Sequence, residues 1–296
     1  MSFIIATTVD EALAALASGA RPVAGGSDLV VGARHGKAPL PTDLVAIDRI
    51  AGLDCIEITD SGACIGALAN HHAIEGHAVL GTRWSALADG SALVGSPSTR
   101  NVGTLGGNVM NASPAMDTGA PLVVLGAEAE LVSAARGARR LSMAELWTGP
   151  GRTSAAPDEL CVAVHLPVLP ERSGSAYVRL EYRRAMEIAV VGAAAMVTLA
   201  ADGSIASVRV ALTAVGPTIL EVTGLSGGPV TDVATAAAAA ASSQATPISD
   251  LRASDAYRRH SVGVMARRAV EAAARRASGE SIPVPLNRTV GIGAAS

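Results

Sequence analysis

Residues 100–117 read Arg100-Asn-Val-Gly-Thr-Leu-Gly-Gly-Asn108-Val-Met-Asn-Ala-Ser-Pro-Ala-Met-Asp117, and about eighty residues earlier stands Arg21-Pro-Val-Ala-Gly-Gly-Ser-Asp-Leu29. The earlier stretch reads as a strand, Arg21 to Ala24, that two glycines break before Ser27-Asp28 cap a helix. Glycines let a backbone approach a ligand, and free N–H groups at a helix start favour an anion. By itself a strand–Gly-Gly–helix turn is also a common structural device. The later stretch adds several glycines, a Thr hydroxyl, Asn amides and an Asp carboxylate in one loop. That mixture suits a ligand with both a pyrophosphate and ribose or ribityl hydroxyls. Two such loops imply a bipartite site.

Around these loops the pattern divides into units. Thr8-Val-Asp-Glu11 opens a helix whose apolar positions Ala12, Leu13, Leu16 and Ala17 recur at helical spacing, and Ser18-Gly19 closes it. Leu44 to Asp48 is a further strand, so the first fifty residues form a helix–strand–helix–strand unit. From Cys55 to Pro167 short strand-like runs at 56–58, 63–65, 130–133 and 160–166 alternate with helical stretches. Residues 95–119, dense in Gly, Ser, Asn and Pro, read as an ordered functional loop. Residues 171–175 read as a linker. Beyond it, Ala193 to Ala200 and Ile205 to Leu212 flank Asp202-Gly203, a hairpin signal, and helices follow at about 231–242 and 255–277.

Composition narrows the function. The 296 residues are 49% hydrophobic and 17% charged, which is globular rather than disordered. With one Phe, two Trp and three Tyr the chain lacks stacking platforms for single-stranded nucleic acid, and a net charge of -3 offers no basic excess for phosphates. Nucleic acid is therefore not an expected partner. No uninterrupted apolar stretch predicts membrane insertion, and the first residues lack the charged start and cleavage site of a signal peptide, so a cytoplasmic location is expected. Cys55, Cys64 and Cys161 are isolated, without the CxxC spacing of zinc or iron–sulfur ligands.

Ala24-Gly-Gly-Ser-Asp28 with Thr104-Leu-Gly-Gly-Asn108 resembles the paired flavin signature of the FAD-binding (medium) subunits of the molybdenum hydroxylase family, which includes the carbon monoxide dehydrogenase medium subunit and the xanthine dehydrogenase FAD-binding subunit. Further segments carry the likeness: 112–117 continues the second loop, 158–167 resembles the family's strand ending in Pro, and 183–191 its Arg-Arg segment. The resemblance covers nearly the whole chain, to about residue 280. It implies an α+β protein: two α/β FAD-binding subdomains of the PCMH type at 1–52 and 53–170, a C-terminal α+β domain with an antiparallel sheet and helices at 171–285, and a tail from 286 to 296. It also implies FAD as the cofactor of this chain. Pro22, Val23, Ala24, Gly25, Gly26, Ser27, Asp28 and Leu29, with Thr104, Gly106, Gly107 and Asn108, would wrap the pyrophosphate. Asp117 would reach the ribityl or flavin part, and Val94, Cys161 and Arg179 fall near further cofactor positions. The family often has Lys where Arg179 stands, and some members have an aromatic residue where Val94 stands.

The same resemblance implies partners. The molybdopterin cofactor would sit on a large subunit and two 2Fe–2S clusters on a small one, assembled as a dimer of heterotrimers. This chain would pass electrons from the clusters to an external acceptor, with no catalytic residue and no metal site of its own. Two alternatives share the glycine loops, a self-contained flavin reductase and a non-catalytic nucleotide-binding scaffold. His71, His72, Glu75 and His77 form a small metal-type cluster by composition, read instead as capping or exposed histidines at a strand-to-helix junction.

Overall fold

The computed structural model describes residues 2–36 and 39–290. The first unit is a three-stranded parallel sheet of β1 (Ser2–Ile5), β2 (Arg21–Val23) and β3 (Asp43–Ala46), in the order β1-β3-β2, with α1 (Val9–Ala17) and α2 (Ser27–Arg34) as crossovers. The expected helix starts where its cap predicted. Thr8 Oγ1 accepts the Glu11 N–H at 3.2 Å, and the Glu11 carboxylate accepts the Thr7 N–H at 2.7 Å. Leu13 and Leu16 of α1 bury against Val45, Ile47 and Ile50. The strand β1 was not anticipated, because its four residues are all exposed and alternate with no core face.

The second unit carries an antiparallel five-stranded sheet in the order β4-β5-β10-β6-β7, built from β4 (Ile56–Thr59), β5 (Gly62–Gly66), β6 (Glu128–Ser133), β7 (Gly137–Ser142) and β10 (Leu160–Pro167). Between β5 and β6 run six helices: α3 (His71–Gly76), α4 (Ala78–Arg83), α5 (Ser85–Leu93), α6 (Pro97–Val102), α7 (Leu105–Asn111) and α8 (Gly119–Val124). A short α9 (Met143–Leu146) and the two-stranded β8 (Trp147–Gly149) and β9 (Arg152–Thr153) follow β7. The stretch 95–119, expected as a loop, is instead largely α6 and α7. Its Ser and Thr act as helix caps: Ser96 accepts the Thr99 N–H with Pro97 in the first turn, and Thr104 accepts the Gly107 N–H. Composition pointed to a loop, while the capping positions decided for helix.

The third unit is a sheet of β11 (Ser173–Leu180), β12 (Val191–Leu199), β13 (Ile205–Thr213) and β14 (Leu220–Glu221), antiparallel throughout, with α10 (Val230–Gln244) and α11 (Asp255–Ala277) and a final short α12 (Asn287–Val290). The expected hairpin forms between β12 and β13. The expected linker at 171–175 is a correction: β11 already begins at Ser173, after a left-handed Arg172 at φ 56. Of the expected tail at 286–296, Leu286 is fully buried and Asn287 is 4% exposed, and residues 291–296 lie outside the described residues.

This third sheet is buried on both faces. Ala176 and Val178 on β11, Ala193 and Ala195 on β12, and Val210 and Leu212 on β13 belong to the core shared with α10 and α11. The residues between them, Tyr177, Ala194 and Ala211, join the core of the second unit. Two-sided burial explains why these strands read as continuous apolar runs without alternation. Small residues allow the layers to close: a Cβ on Gly174 would lie 2.4 Å from the Ala273 carbonyl oxygen. Among the described residues no helix is long and apolar enough to cross a membrane.

One buried carboxylate ties the units. Asp89 of α5 is fully buried; its oxygens accept from Arg276 Nη1 at 2.6 Å and Nη2 at 3.1 Å, from the Tyr177 N–H at 3.1 Å and from the Leu286 N–H at 2.8 Å. Removing one partner of a buried ion pair strands the other, so Asp89→Asn is expected to destabilise the protein by about 3–5 kcal/mol. Urea unfolding measures it, and adding Arg276→Met to the variant is expected to return part of the loss. A cost for Asp89→Asn below about 1 kcal/mol, the range of exposed pairs, would show that the knot is not structural.

Candidate functional site

The structure brings the two glycine loops into contact. β2 ends at Val23 and the chain turns through Ala24, Gly25 and Gly26 into α2. A Cβ on Gly25 would lie 1.8 Å from the carbonyl oxygen of Val102, the last residue of α6, so only glycine permits this approach. Gly26 adopts the left-handed region at φ 66 and begins α2 without any side-chain cap. The helix start is thereby left open to an outside acceptor, and its dipole favours an anion there.

The second loop is pinned from beneath by the chain that follows β5. The Leu105 N–H donates to the Ala69 carbonyl and the Gly106 N–H to the Ala67 carbonyl, each at 2.9 Å, and the His71 N–H donates to the Gly103 carbonyl at 3.1 Å. The adjacent glycines have different tasks. A Cβ on Gly106 would lie 2.5 Å from the Ala67 Cβ, so Gly106 allows α7 to pack inward. Gly107 is exposed, and a Cβ there would meet only Thr104 Oγ1, at 2.9 Å. Asn108 Oδ1 accepts from Thr118 Oγ1 at 2.5 Å. Around Gly103 three segments converge: the point where its Cβ would stand is 3.4 Å from His71 Cδ2 and 3.6 Å from Ser27 Oγ of the first loop.

Beyond the second loop lies a buried charged cluster. Asp117 Oδ2 accepts from Arg179 Nη1 at 2.6 Å and Oδ1 from the Tyr177 hydroxyl at 2.9 Å. Arg179 Nε donates to Glu181 at 2.8 Å, and its backbone N–H to Asn287 Oδ1 at 2.8 Å. Gly192 makes room for the phenol, because a Cβ there would lie 2.4 Å from the Tyr177 hydroxyl oxygen. Both oxygens of Asp117, assigned by resemblance to the ribityl or flavin part, thus have partners inside the chain, whereas Arg179 Nη2 is buried without one among the described residues. Burial pushes the Asp117 carboxyl up and the Arg179 guanidinium pulls it back. Burial and the Asp117 charge hold the Tyr177 phenol well above its ordinary value. Burial alone would lower the Arg179 guanidinium, but Asp117 beside it leads a net rise, so it stays charged.

The remaining expected residues stand apart from the seam. Val94 caps the end of α5, half-buried, and its carbonyl accepts from Arg100 Nη1 at 3.3 Å. Cys161 is buried in the second core at a bulge of β10, and burial pushes its thiol up to about 12. The histidine cluster has ordinary roles: His72 pairs with Glu75 at 2.9 Å, Glu75 with Arg100 at 3.0 Å, and His77 Nδ1 accepts the Leu80 N–H as the cap of α4. Among the described residues no group of three His, Cys, Asp or Glu is arranged to hold a metal ion. Tyr177 and Gly192 leave no local motif in the sequence, since the Tyr177 hydroxyl meets Asp117 of the second unit and the Gly192 contact lies across the β11–β12 pairing.

An open helix start against a glycine seam, with a fixed buried cation beyond it, defines a dinucleotide-binding protein. The family described as the FAD binding domain in molybdopterin dehydrogenase matches residues 1–169, and the CO dehydrogenase flavoprotein C-terminal domain matches residues 176–273. The chain belongs to this family of FAD-binding subunits of molybdenum hydroxylases, and FAD is its cofactor. It is 34% identical over 274 residues to the carbon monoxide dehydrogenase medium chain of Afipia carboxidovorans, covering 90% of this chain and 92% of that one. It is 28% identical to the putative xanthine dehydrogenase FAD-binding subunit of Escherichia coli K12, covering 94% and 98%. A solved carbon monoxide dehydrogenase from Hydrogenophaga pseudoflava, in a form lacking the Mo-pyranopterin moiety of the molybdenum cofactor, matches with a TM-score of 0.87 at 28% identity over 93% of this chain and 98% of that chain.

The two loops yield a paired prediction. Gly107→Val is expected to remove FAD and to cost the flavin-free protein about 1 kcal/mol or less, because the added side chain projects from the exposed face and displaces only the Thr104 cap hydroxyl. Gly25→Ala is expected to lose FAD and also to destabilise by about 1–3 kcal/mol, since the Val102 carbonyl must move. Flavin content beside urea unfolding separates the two, and full FAD occupancy in Gly107→Val would exclude that loop from the site.

A pH prediction follows from His71, whose imidazole burial and the nearby Arg100 lower to about 4 while Glu75 opposes them. The unfolded chain binds this proton near pH 6.5 and the folded one does not, so the stability involved is full above about 6.5 and is lost as pH falls toward 4. The magnitude is about 3 kcal/mol at most. A His71→Gln variant is expected to lose less stability than the natural chain between pH 7 and 4.5, and equal slopes would contradict the assignment.

Proposed function

We propose that this chain is the electron-carrying flavin subunit of a molybdenum hydroxylase complex. Substrate would be oxidised at a molybdopterin cofactor on a large subunit, electrons would cross two 2Fe–2S clusters on a small one, and FAD here would deliver them to an external acceptor. FAD supplies the change between two-electron and one-electron transfer; the chain binds, orients and electrostatically biases it. The observation that carries the reading is the contact of the two glycine loops at Gly25 and Val102, with α2 open at its start.

In this reading Pro22 to Leu29, Thr104, Gly106, Gly107 and Asn108 hold the pyrophosphate. Gly25 and Gly106 act by letting backbones meet, and Gly26, Ser27 and Gly107 act at the surface. Val94 gives apolar contact only, and Cys161 contributes through its backbone, because its side chain is in the core. Arg179, with Nη2 unpartnered, presents a permanent charge on the flavin side, and Asp117 serves by holding it. Residues 1–52, 53–170 and 171–285 are the working units, in a cytoplasmic dimer of heterotrimers.

Denaturing the purified complex is expected to release FAD rather than FMN, non-covalently. Substrate is expected to reduce the flavin in the complex and not in the isolated chain. Reduction of the isolated chain at the rate of the complex would favour a self-contained flavin reductase, and a flavin that no donor reduces in the intact complex would favour a binding scaffold.

A further inference from the structure

His71 lies where the two glycine loops meet and has no task in the reading above. It opens α3, and its side chain is 1% exposed. Its backbone N–H already holds the Gly103 carbonyl. Its ring edge at Cδ2 faces the same point beside Gly103 that Ser27 Oγ approaches from the first loop, at 3.4 and 3.6 Å. In an imidazole Nε2 is bonded to Cδ2, so Nε2 shares that edge. On the far edge Nδ1 is enclosed with no hydrogen-bond partner among the described residues.

This arrangement selects a tautomer. A buried N–H without an acceptor is rarer and costlier than a bare acceptor lone pair, so the single proton of the neutral ring belongs on Nε2, at the loop edge. The charged groups facing the ring are Arg100 from α6 and Glu75 from its own helix, and they are paired to each other at 3.0 Å. The ring therefore presents one directed donor to the seam.

We propose that His71 is a phosphate-binding residue of the cofactor site, its Nε2–H donating to a pyrophosphate oxygen of FAD held between Ser27 and the turn from Gly103 to Gly107. The inference rests on the FAD reading of the two loops and adds a third segment, the start of α3, to them.

The test uses the complete complex, stripped of flavin and titrated with FAD, in the natural form and as His71→Gln and His71→Leu, with phosphorus NMR of the bound FAD. Gln carries an amide donor near the Nε2 position, whereas Leu fills similar space with none. His71→Leu is expected to weaken FAD binding roughly tenfold or more, the loss of a hydrogen bond to a charged group. One of the two pyrophosphate resonances is expected to shift in His71→Leu and to return in His71→Gln along with the affinity. Unchanged affinity in His71→Leu overturns the proposal, as does a loss shared by both variants with unmoved resonances, which would mark a packing role. If the Leu variant does not assemble, His71→Ala takes its place: weaker binding and a shifted pyrophosphate resonance that His71→Gln restores support the donor, and natural affinity in His71→Ala overturns it. A natural complex that takes up no FAD overturns the functional reading itself, an outcome distinct from natural binding that His71→Leu leaves intact.

Discussion

The approach of Gly25 to the Val102 carbonyl is the constraint on which the site depends. A Cβ placed 1.8 Å from a carbonyl oxygen cannot be accommodated by rotating a side chain, because both partners are backbone. The contact fixes the first loop, at the edge of the parallel sheet, against the second, on the helices of the next unit. It also leaves Gly26 in a left-handed turn and α2 without a side-chain cap. Thr8, Ser96, Thr104 and Ser254 cap the first turns of their helices, whereas α2, like α5, α8 and α10, begins without a side-chain cap. The dipole at the start of α2 suits an anion.

The C-terminal sheet gives that seam its rigid support. Because β11, β12 and β13 are buried on both faces, their alternate side chains serve two cores at once, and the second unit cannot move without opening one of them. Two carboxylates from the second unit cross this boundary. Asp89 binds Arg276 and the backbone at Tyr177 and Leu286, and Asp117 binds Arg179 and the Tyr177 hydroxyl. Tyr177 takes part in both, through its N–H and its hydroxyl. Buried ion pairs of this kind add little net stability over apolar packing, but they are strict about geometry. Here they fix the register between a cofactor-binding unit and the sheet that carries Arg179.

Much of this was legible locally. The cap at Thr8, the Asp202-Gly203 hairpin, the span of α11 and the two glycine loops all rest on short-range chemistry that neighbouring residues reveal. The family came from resemblance, and the match of residues 1–169 and 176–273 bears it out. What stayed hidden is set by distant partners. Residues 95–119 looked like a loop because Gly, Ser and Asn dominate them, while distant partners, Ala67, Ala69, Thr118 and Trp147, hold α7 in place. The strand at 173–180 was obscured by Ser173, Gly174 and Ser175, whose small size is what lets α11 approach. Asp117 was read as a ligand contact because its neighbours fit a motif, while its partners lie 60 and 62 residues away.

The charge states around the site bear on what the chain can do. Burial takes the Cys161 thiol up to about 12 and the His71 imidazole down to about 4, and the Tyr177 phenol stands well above its ordinary value. Arg179 is held charged by Asp117 and Glu181. None of Cys161, Tyr177 and Arg179 changes protonation near neutral pH, so none of them is poised as a general acid or base, which would need a value close to the working pH. Their field is constant instead, and it is fixed in space by hydrogen bonds that cross between units. A flavin placed in such a field has its electron affinity set by geometry rather than by proton exchange with the protein.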